Sequence, residues 1–317
     1  MTTSAAADTF IAAADLSVRM RQAVDLLVEN GALQRIRATE ACAVNPYQPN
    51  LVWAPSIFGT PLELDLREEV CATIYSYGVF DAPLLAFLSR TLKPGDTFLD
   101  VGAHIGFFTV AASMLVGEQG RVVSFEPMPE TFNRLTVNAR NTGRSNITLV
   151  NAAAWHEDGE IEVQDFGPAS SAFNSIFAIR RAGSTAEPAP RIKAVTHRLD
   201  TFLGTGGIVP TVVKIDVESA EAQVIDGLGD ILSAPDAPVL IVEVGDFDHL
   251  LGSGVPTSAS ILEGLVDRGY SLFQLTLDGK LEQHAICAES YSYMNLVCAP
   301  SHWIFLDGDL SIWMPSS

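Results

Sequence analysis

The residues best placed for chemistry are an acid, a glycine turn and a second acid at the ends of two short apolar runs. Phe98-Leu99 leads into Asp100-Val101-Gly102-Ala103-His104-Ile105-Gly106, and the run Arg121 to Phe125 ends in Glu126. Strand, glycine turn, helix, strand and acid describe a half-site for a nucleoside-containing ligand, because glycines let the backbone approach closely and the acid can receive ribose hydroxyls. A dinucleotide turn would hold a pyrophosphate with tighter G-x-G-x-x-G spacing. Here His104 stands at the place of the middle glycine and Asp100 precedes the first. An acid at that strand end suits a ligand carrying an amine and a sulfonium better than a diphosphate.

A second set of acids follows later. Asp216 closes an apolar run, Glu218 comes two residues on, and Glu243 ends another run. Ligands collect outside the carboxyl ends of parallel strands, so these three can form a base, a metal site or a polar patch for an acceptor. Asp246-Phe247-Asp248-His249 adds oxygen and nitrogen donors suited to magnesium or manganese, against the plainer reading of a solvated turn. His104 and His249 are the histidines nearest these strand ends, and neutral imidazole can take a hydroxyl proton near pH 7. Glu221, one turn further on, reads as a cap or brace. The Gly204-Thr205-Gly206-Gly207 stretch lacks the lysine of a phosphate loop and reads as a turn.

The elements needed to hold these groups alternate as strand and helix, which implies a mostly parallel sheet covered on both faces. Strands are expected over Thr97 to Asp100, Arg121 to Phe125, Ile147 to Asn151, Val212 to Asp216 and Val239 to Val244. Helices are expected from Ala82 to Leu92, from Phe107 to Leu115, through Phe132, Leu135 and Ala139, through Val224, Ile225 and Leu228, and from Ile261 to Val266. Ser271 to Leu275 and Met294 to Cys298 should pair at the end of the chain, Leu62 to Asp65 alternates like a strand, and Glu160 to Gln164 like a small extra one. The stretch from Gly167 to Arg191 reads as irregular, either disordered or a lid over the acceptor. Leu16, Met20, Ala23, Val24, Leu27 and Val28 recur at helical spacing, giving a helical extension over 1–60 and one domain over 61–317.

Composition excludes several classes. The chain has 317 residues, with 19 basic and 38 acidic side chains and a formal charge of -19, so its surface repels phosphate backbones and nucleic acid is not an expected partner. Arg180-Arg181 is one candidate for a local basic groove. The apolar runs are too short for a membrane span, and no basic region precedes an apolar run near Met1 as a secretory signal would require. Cys42, Cys71, Cys287 and Cys298 show neither zinc spacing nor disulfide density, which fits reduced thiols in a cytoplasmic protein. A small or neutral acceptor is the expected partner, and a homodimer is compatible with the sequence.

Three motifs in order, Asp100 to Gly106, Phe125-Glu126-Pro127 and Lys214-Ile215-Asp216-Val217-Glu218-Ser219-Ala220-Glu221, resemble those of the FkbM family of class I S-adenosylmethionine-dependent methyltransferases. Ser76 to Asp81 and Leu199-Asp200 look like its accessory motifs, and the likeness covers roughly Leu62 to Pro300. The resemblance implies a Rossmann-like α/β fold with a C-terminal antiparallel strand, and O-methylation of a small natural product or sugar. Other readings are a protein or lipid-linked sugar acceptor, a non-catalytic S-adenosylmethionine-binding module, and, from another class, a nicotinamide-dependent oxidoreductase. It also implies that Asp100, Gly102, His104 and Gly106 line the methionine and ribose side, with Asp216 nearby, and that Glu126 binds the ribose. Asn151, Ala153 and Trp155 would border the adenine, with Trp155 either stacked on the ring or part of the core. Asp216, Glu218, His104 and His249 are the candidates for catalysis. A divalent metal is not the favoured reading. His104 stands where the family commonly has Asn, Asp81 where Glu is usual, and Ser219 where Gly is usual. The last change implies a helix start that needs no left-handed backbone, with serine as its cap.

Overall fold

The computed structural model describes residues 50–176, 189–246, 254–287, 290–306 and 309–312. Its centre is an eight-stranded sheet. Five strands run parallel: β3 (Thr97–Val101), β4 (Arg121–Phe125), β5 (Ile147–Val150), β9 (Val212–Ile215) and β10 (Val239–Val244). Three more continue it antiparallel: β13 (Met294–Pro300) beside β10, then β11 (Tyr270–Leu275) and β12 (Leu281–Gln283). Read across the sheet the order is β12, β11, β13, β10, β9, β3, β4, β5. The chain therefore winds outward from β3 to β5 and returns to β9 on the other side of β3. That reversal opens a crevice at the carboxyl ends of β3 and β9, where such sheets bind ligands.

Alternate residues along each strand face two separate cores. Phe98, Val122, Val212, Val239 and Val297 pack against α1 (Glu69–Tyr77), α2 (Ala82–Thr91) and α3 (Phe107–Val116). Leu99, Val123, Val213, Leu240 and Leu296 pack with α5 (Leu199–Thr205), α6 (Glu221–Leu228) and α7 (Ser258–Asp267). Burial on both sides explains why these strands read as near-continuous apolar runs. The helix α4 (Pro129–Asn141) follows β4. No single helix among the described residues is long and apolar enough to cross a membrane; α1 and α2 together pass on composition, but their apolar residues Cys71, Ile74, Leu84 and Leu88 lie in the core.

Two smaller sheets adjust the expected layout. Leu51–Pro55 (β1) pairs antiparallel with Pro61–Asp65 (β2), so a domain boundary at residue 60 would divide a hairpin. This hairpin belongs to the main body. Buried Asn138 on α4 accepts from the Glu63 N–H at 2.7 Å and donates to the Ile105 carbonyl at 2.9 Å, stitching β2 to the glycine turn. The helical pattern at Leu16 to Val28 and Cys42 lie outside the described residues. The second sheet joins β6 (Ala153–Trp155), β7 (Gly159–Gln164) and β8 (Arg191–Arg198), with β8 central. The expected loop from Gly167 to Arg191 is thus a hairpin connection. It begins with a 3-10 turn over Pro168–Phe173, and residues 177–188, including Arg180-Arg181, lie outside the described set.

Candidate active site

A cavity of about 410 Å³ opens at the crevice, within the range of roughly 300–1,000 Å³ usual for small-ligand sites. Its floor is the glycine turn between β3 and α3. Gly102 adopts φ +80, and a Cβ there would lie 1.8 Å from the Asp216 carbonyl oxygen, so the turn after β3 and the loop after β9 touch at this point. Gly106, at φ +90, starts α3 with no side-chain cap. His104 also has a positive φ, +51. Histidine tolerates this region better than most residues.

Glu126 ties the two strand ends together. Its Oε2 accepts the His104 backbone N–H at 3.0 Å and its Oε1 the Met128 N–H at 3.0 Å, while the carboxylate still lines the cavity. Burial pushes this carboxyl up to about 7. Beside it the wall is apolar, formed by Ala152, Ala153, Trp155, Ile161 and Val163. Asn151 does not reach the cavity; its amide donates to the Glu126 carbonyl at 2.9 Å and so positions the Glu126 turn from behind. Asp100 is likewise set below the lining. Its Oδ2 accepts from Thr109 Oγ1 at 2.6 Å, and Oδ1 lies 3.9 Å from the Lys214 ammonium with no hydrogen-bond partner.

The opposite wall carries Asp216, Glu218 and Glu243, which can each offer a carboxylate oxygen within 4.8 Å of the others. Lys214, 3% exposed, donates to Asp216 Oδ2 at 2.8 Å, and its Nζ lies 5.6 Å from the centre of the Phe108 ring. Burial opposes its charge, but Asp216 and Asp100 outweigh that and raise its pKa. Glu218 accepts from Tyr293 Oη at 2.7 Å. Burial, then the Asp216 charge, push the Glu218 carboxyl up to about 8, and the same causes raise Glu243 well above its ordinary value. Glu221 braces the loop, its Oε1 accepting the Val217 N–H at 3.1 Å, and burial pushes it up to about 7.

Several expectations change here. Glu218 and Ser219 have φ +54 and +77, so this helix start does use left-handed backbone despite lacking glycine. Ser219 is not the cap: Ala220 holds that position, and the buried Ser219 hydroxyl has no hydrogen-bond partner. Ser219→Gly should raise stability by about 1 kcal/mol, the usual cost of a left-handed non-glycine residue, read as a denaturant midpoint shift at constant m. His104 Nε2 lies 3.0 Å from Ser171 Oγ, and burial lowers its pKa against the opposing charges of Glu68 and Asp216. Asp246 accepts the backbone N–H of Ser258 and of Tyr291 at 2.8 and 2.9 Å, so it braces the start of α7 against the segment before β13. His249 lies outside the described residues. Asp81 is the N-cap of α2, accepting from Leu84 N–H and from Asn295.

The cavity holds more buried acid than its one lysine pairs with, and its carboxyls answer this by holding protons until a cationic ligand favours their charged form. The donor set and the apolar wall therefore fit a cationic nucleoside such as S-adenosylmethionine. Raised carboxyls also fix how the ligand-free protein responds to pH. Their folded pKa values of about 7 to 8 exceed the ordinary 4.5, so the stability they contribute is full below 4.5 and is lost as pH rises through 7 to 8. The melting temperature of the free protein should fall between pH 5 and 8, and the cofactor should offset the fall; a rising melting temperature across that window would contradict it.

Residues 100–272 match the family model described as Methyltransferase FkbM domain. This chain belongs to the FkbM methyltransferase family. It is 31% identical over 191 residues to the 31-O-demethyl-FK506 methyltransferase FkbM of Streptomyces tacrolimicus, covering 52% of this chain and 71% of that protein. It is 28% identical over 163 residues to the hexuronic acid methyltransferase AglP of Haloferax volcanii, covering 51% of this chain and 62% of that protein, less than two thirds of its length. Methyltransferase FkbM from Methylobacillus flagellatus KT overlays with a TM-score of 0.41 at 13% identity, over 86% of this chain and 60% of that one. In this FkbM chain, sequence reasoning overlooked Lys214 and Tyr293. Lys214 stood inside a quoted motif, and a lone lysine in an apolar run is itself a signal of a buried charge with partners. Tyr293 is 75 residues from Glu218 in sequence and carried no local signal.

Proposed function

We propose that this protein transfers the methyl group of S-adenosylmethionine to a hydroxyl of a small acceptor, a natural product or sugar. The observation that carries the reading is the Glu126 carboxylate, held by two backbone N–H groups at one side of a cavity whose other wall is Asp216, Glu218, Glu243 and Lys214. The names of two relatives, one acting on a hexuronic acid and one on 31-O-demethyl-FK506, support the acceptor class.

When bound, the cofactor supplies an electrophilic methyl on a sulfonium. Glu126 would accept hydrogen bonds from the ribose hydroxyls, and the wall from Ala152 to Trp155 would cover the adenine. Glu218, oriented by Tyr293, is the base that takes the acceptor hydroxyl proton. Asp216, engaged by Lys214, orders the acceptor side instead. Phe80, Phe107, Phe108 and Phe173 give the cavity apolar surface suited to a carbon skeleton and exclude water from the transfer.

Calorimetric titration with S-adenosylmethionine and, separately, NADH tests the first half of this reading. Selective binding of the former is expected; binding of NADH alone, or of neither by a folded sample, overturns it. Hydroxylated sugars and macrolides screened with the labelled cofactor then test the second half, and transfer only to protein or to lipid-linked sugar would replace the acceptor class.

A further inference from the structure

We propose that the Lys214 ammonium is the resident cation of the acceptor site, occupying the role a divalent metal would otherwise take among Asp216, Glu218 and Glu243, and that it holds the acceptor oxygen. The second part rests on the methyl-transfer reading above; the first does not.

Geometry supplies the case. Lys214 rises from the end of β9 into the gap between the two carboxylate layers: Asp100 Oδ1 lies 3.9 Å away beneath it and Asp216 Oδ2 2.8 Å away beside it. The buried Asp100 Oδ1 has no hydrogen-bond partner, so the charge of Lys214 is what it answers to. Glu243 is among the acids acting on the same ammonium. An ammonium has three N–H donors, and Asp216 takes one within hydrogen-bond distance. Lys214 lines the cavity together with Glu218 and Tyr293, so the ammonium and the base border the same space. A donor there would steady the negative charge that develops on the acceptor oxygen as its proton moves to Glu218, which is the task a metal performs elsewhere as a Lewis acid.

Removing the ammonium should expose an uncompensated acid cluster and convert it into a cation site. Manganese(II) titration followed by electron paramagnetic resonance reads this without any acceptor. Lys214→Met should bind manganese at least about tenfold more tightly than the wild type, because deleting one partner leaves buried charge unmatched. Lys214→Arg, which keeps the positive charge, should resemble the wild type and so corrects for loose binding to the acidic surface. Adding Asp216→Asn to Lys214→Met should abolish the gain. If Lys214→Met does not fold, Lys214→Met with Asp100→Asn removes the charge left bare beneath it and is read the same way. No gain in these variants, or tight manganese binding by the wild type, overturns the proposal. Failure of the wild type to bind S-adenosylmethionine would instead overturn the methyl-transfer reading and leave the manganese result standing. With an acceptor in hand, chelator should leave wild-type turnover unchanged, and Lys214→Met should lower kcat with cofactor KM unchanged, Lys214→Arg recovering part of the loss. Wild-type turnover lost to chelator, or Lys214→Met turning over normally, overturns the assignment of the acceptor oxygen to Lys214.

Discussion

Glu126→Ala is expected to bind S-adenosylmethionine at least about a hundredfold more weakly than the wild type, since two hydrogen bonds to a charged acceptor contribute roughly 1.5–3 kcal/mol each. The side chain does two things at once. It offers acceptor oxygens to the cavity, and it fixes the His104 and Met128 N–H groups that shape the turn. Alanine loses both, whereas Glu126→Gln keeps one acceptor and should fall between. The pH dependence has a definite sign. Burial holds the free carboxyl at about 7, so it is largely protonated at pH 6 and must release that proton to accept two hydroxyl donors. Affinity should therefore rise as pH increases through 7, with proton release measurable in buffers of different ionisation enthalpy. Glu126→Ala should show neither effect. Unchanged calorimetric affinity in that variant would refute the ribose assignment.

Glu218→Gln should lower kcat by about 10² to 10⁴, the span usual for loss of a general base, with cofactor affinity within a few-fold of the wild type. In the free protein Glu218 titrates at about 8, raised by burial and then by Asp216. The basic form grows as pH rises, so kcat/KM should climb through about 8 when the cofactor is limiting. Saturation with the positively charged cofactor favours the carboxylate and should move that limb to lower pH. The glutamine variant should lose the limb altogether. A variant that turns over normally, or keeps the same pH profile, would place the base elsewhere.

What the sequence disclosed follows from where its information is local. Arg121–Phe125 and Val239–Val244 were readable to the residue because both faces of those strands are buried, leaving compact apolar runs between turns. The glycine turn was readable because close backbone approach at Gly102 restricts residue type, and Glu126 because it ends a compact buried strand. Helix α1 was not, since Glu69–Tyr77 mixes β-branched and aromatic residues, and its cap is Glu68, whose carboxylate receives the Val70 and Cys71 N–H groups. Residue identity misled at Ser219, where the loop packed between Gly102 and α6 imposes a backbone that serine does not favour. Tyr293 needed the fold itself: only the antiparallel register of β13, with Met294 opposite Val244, sets it beside Glu218.

The contact at Gly102 has a consequence for how this site can change over generations. Any side chain there would strike the Asp216 carbonyl, so the turn that receives one reactant and the loop that faces the other cannot drift independently. A single substitution at 102 would displace both halves together. The described start of the connection between β7 and β8 shares this coupling, since Ser171 bonds to the His104 ring at 3.0 Å and Ser175 donates to the Glu218 carbonyl at 2.6 Å.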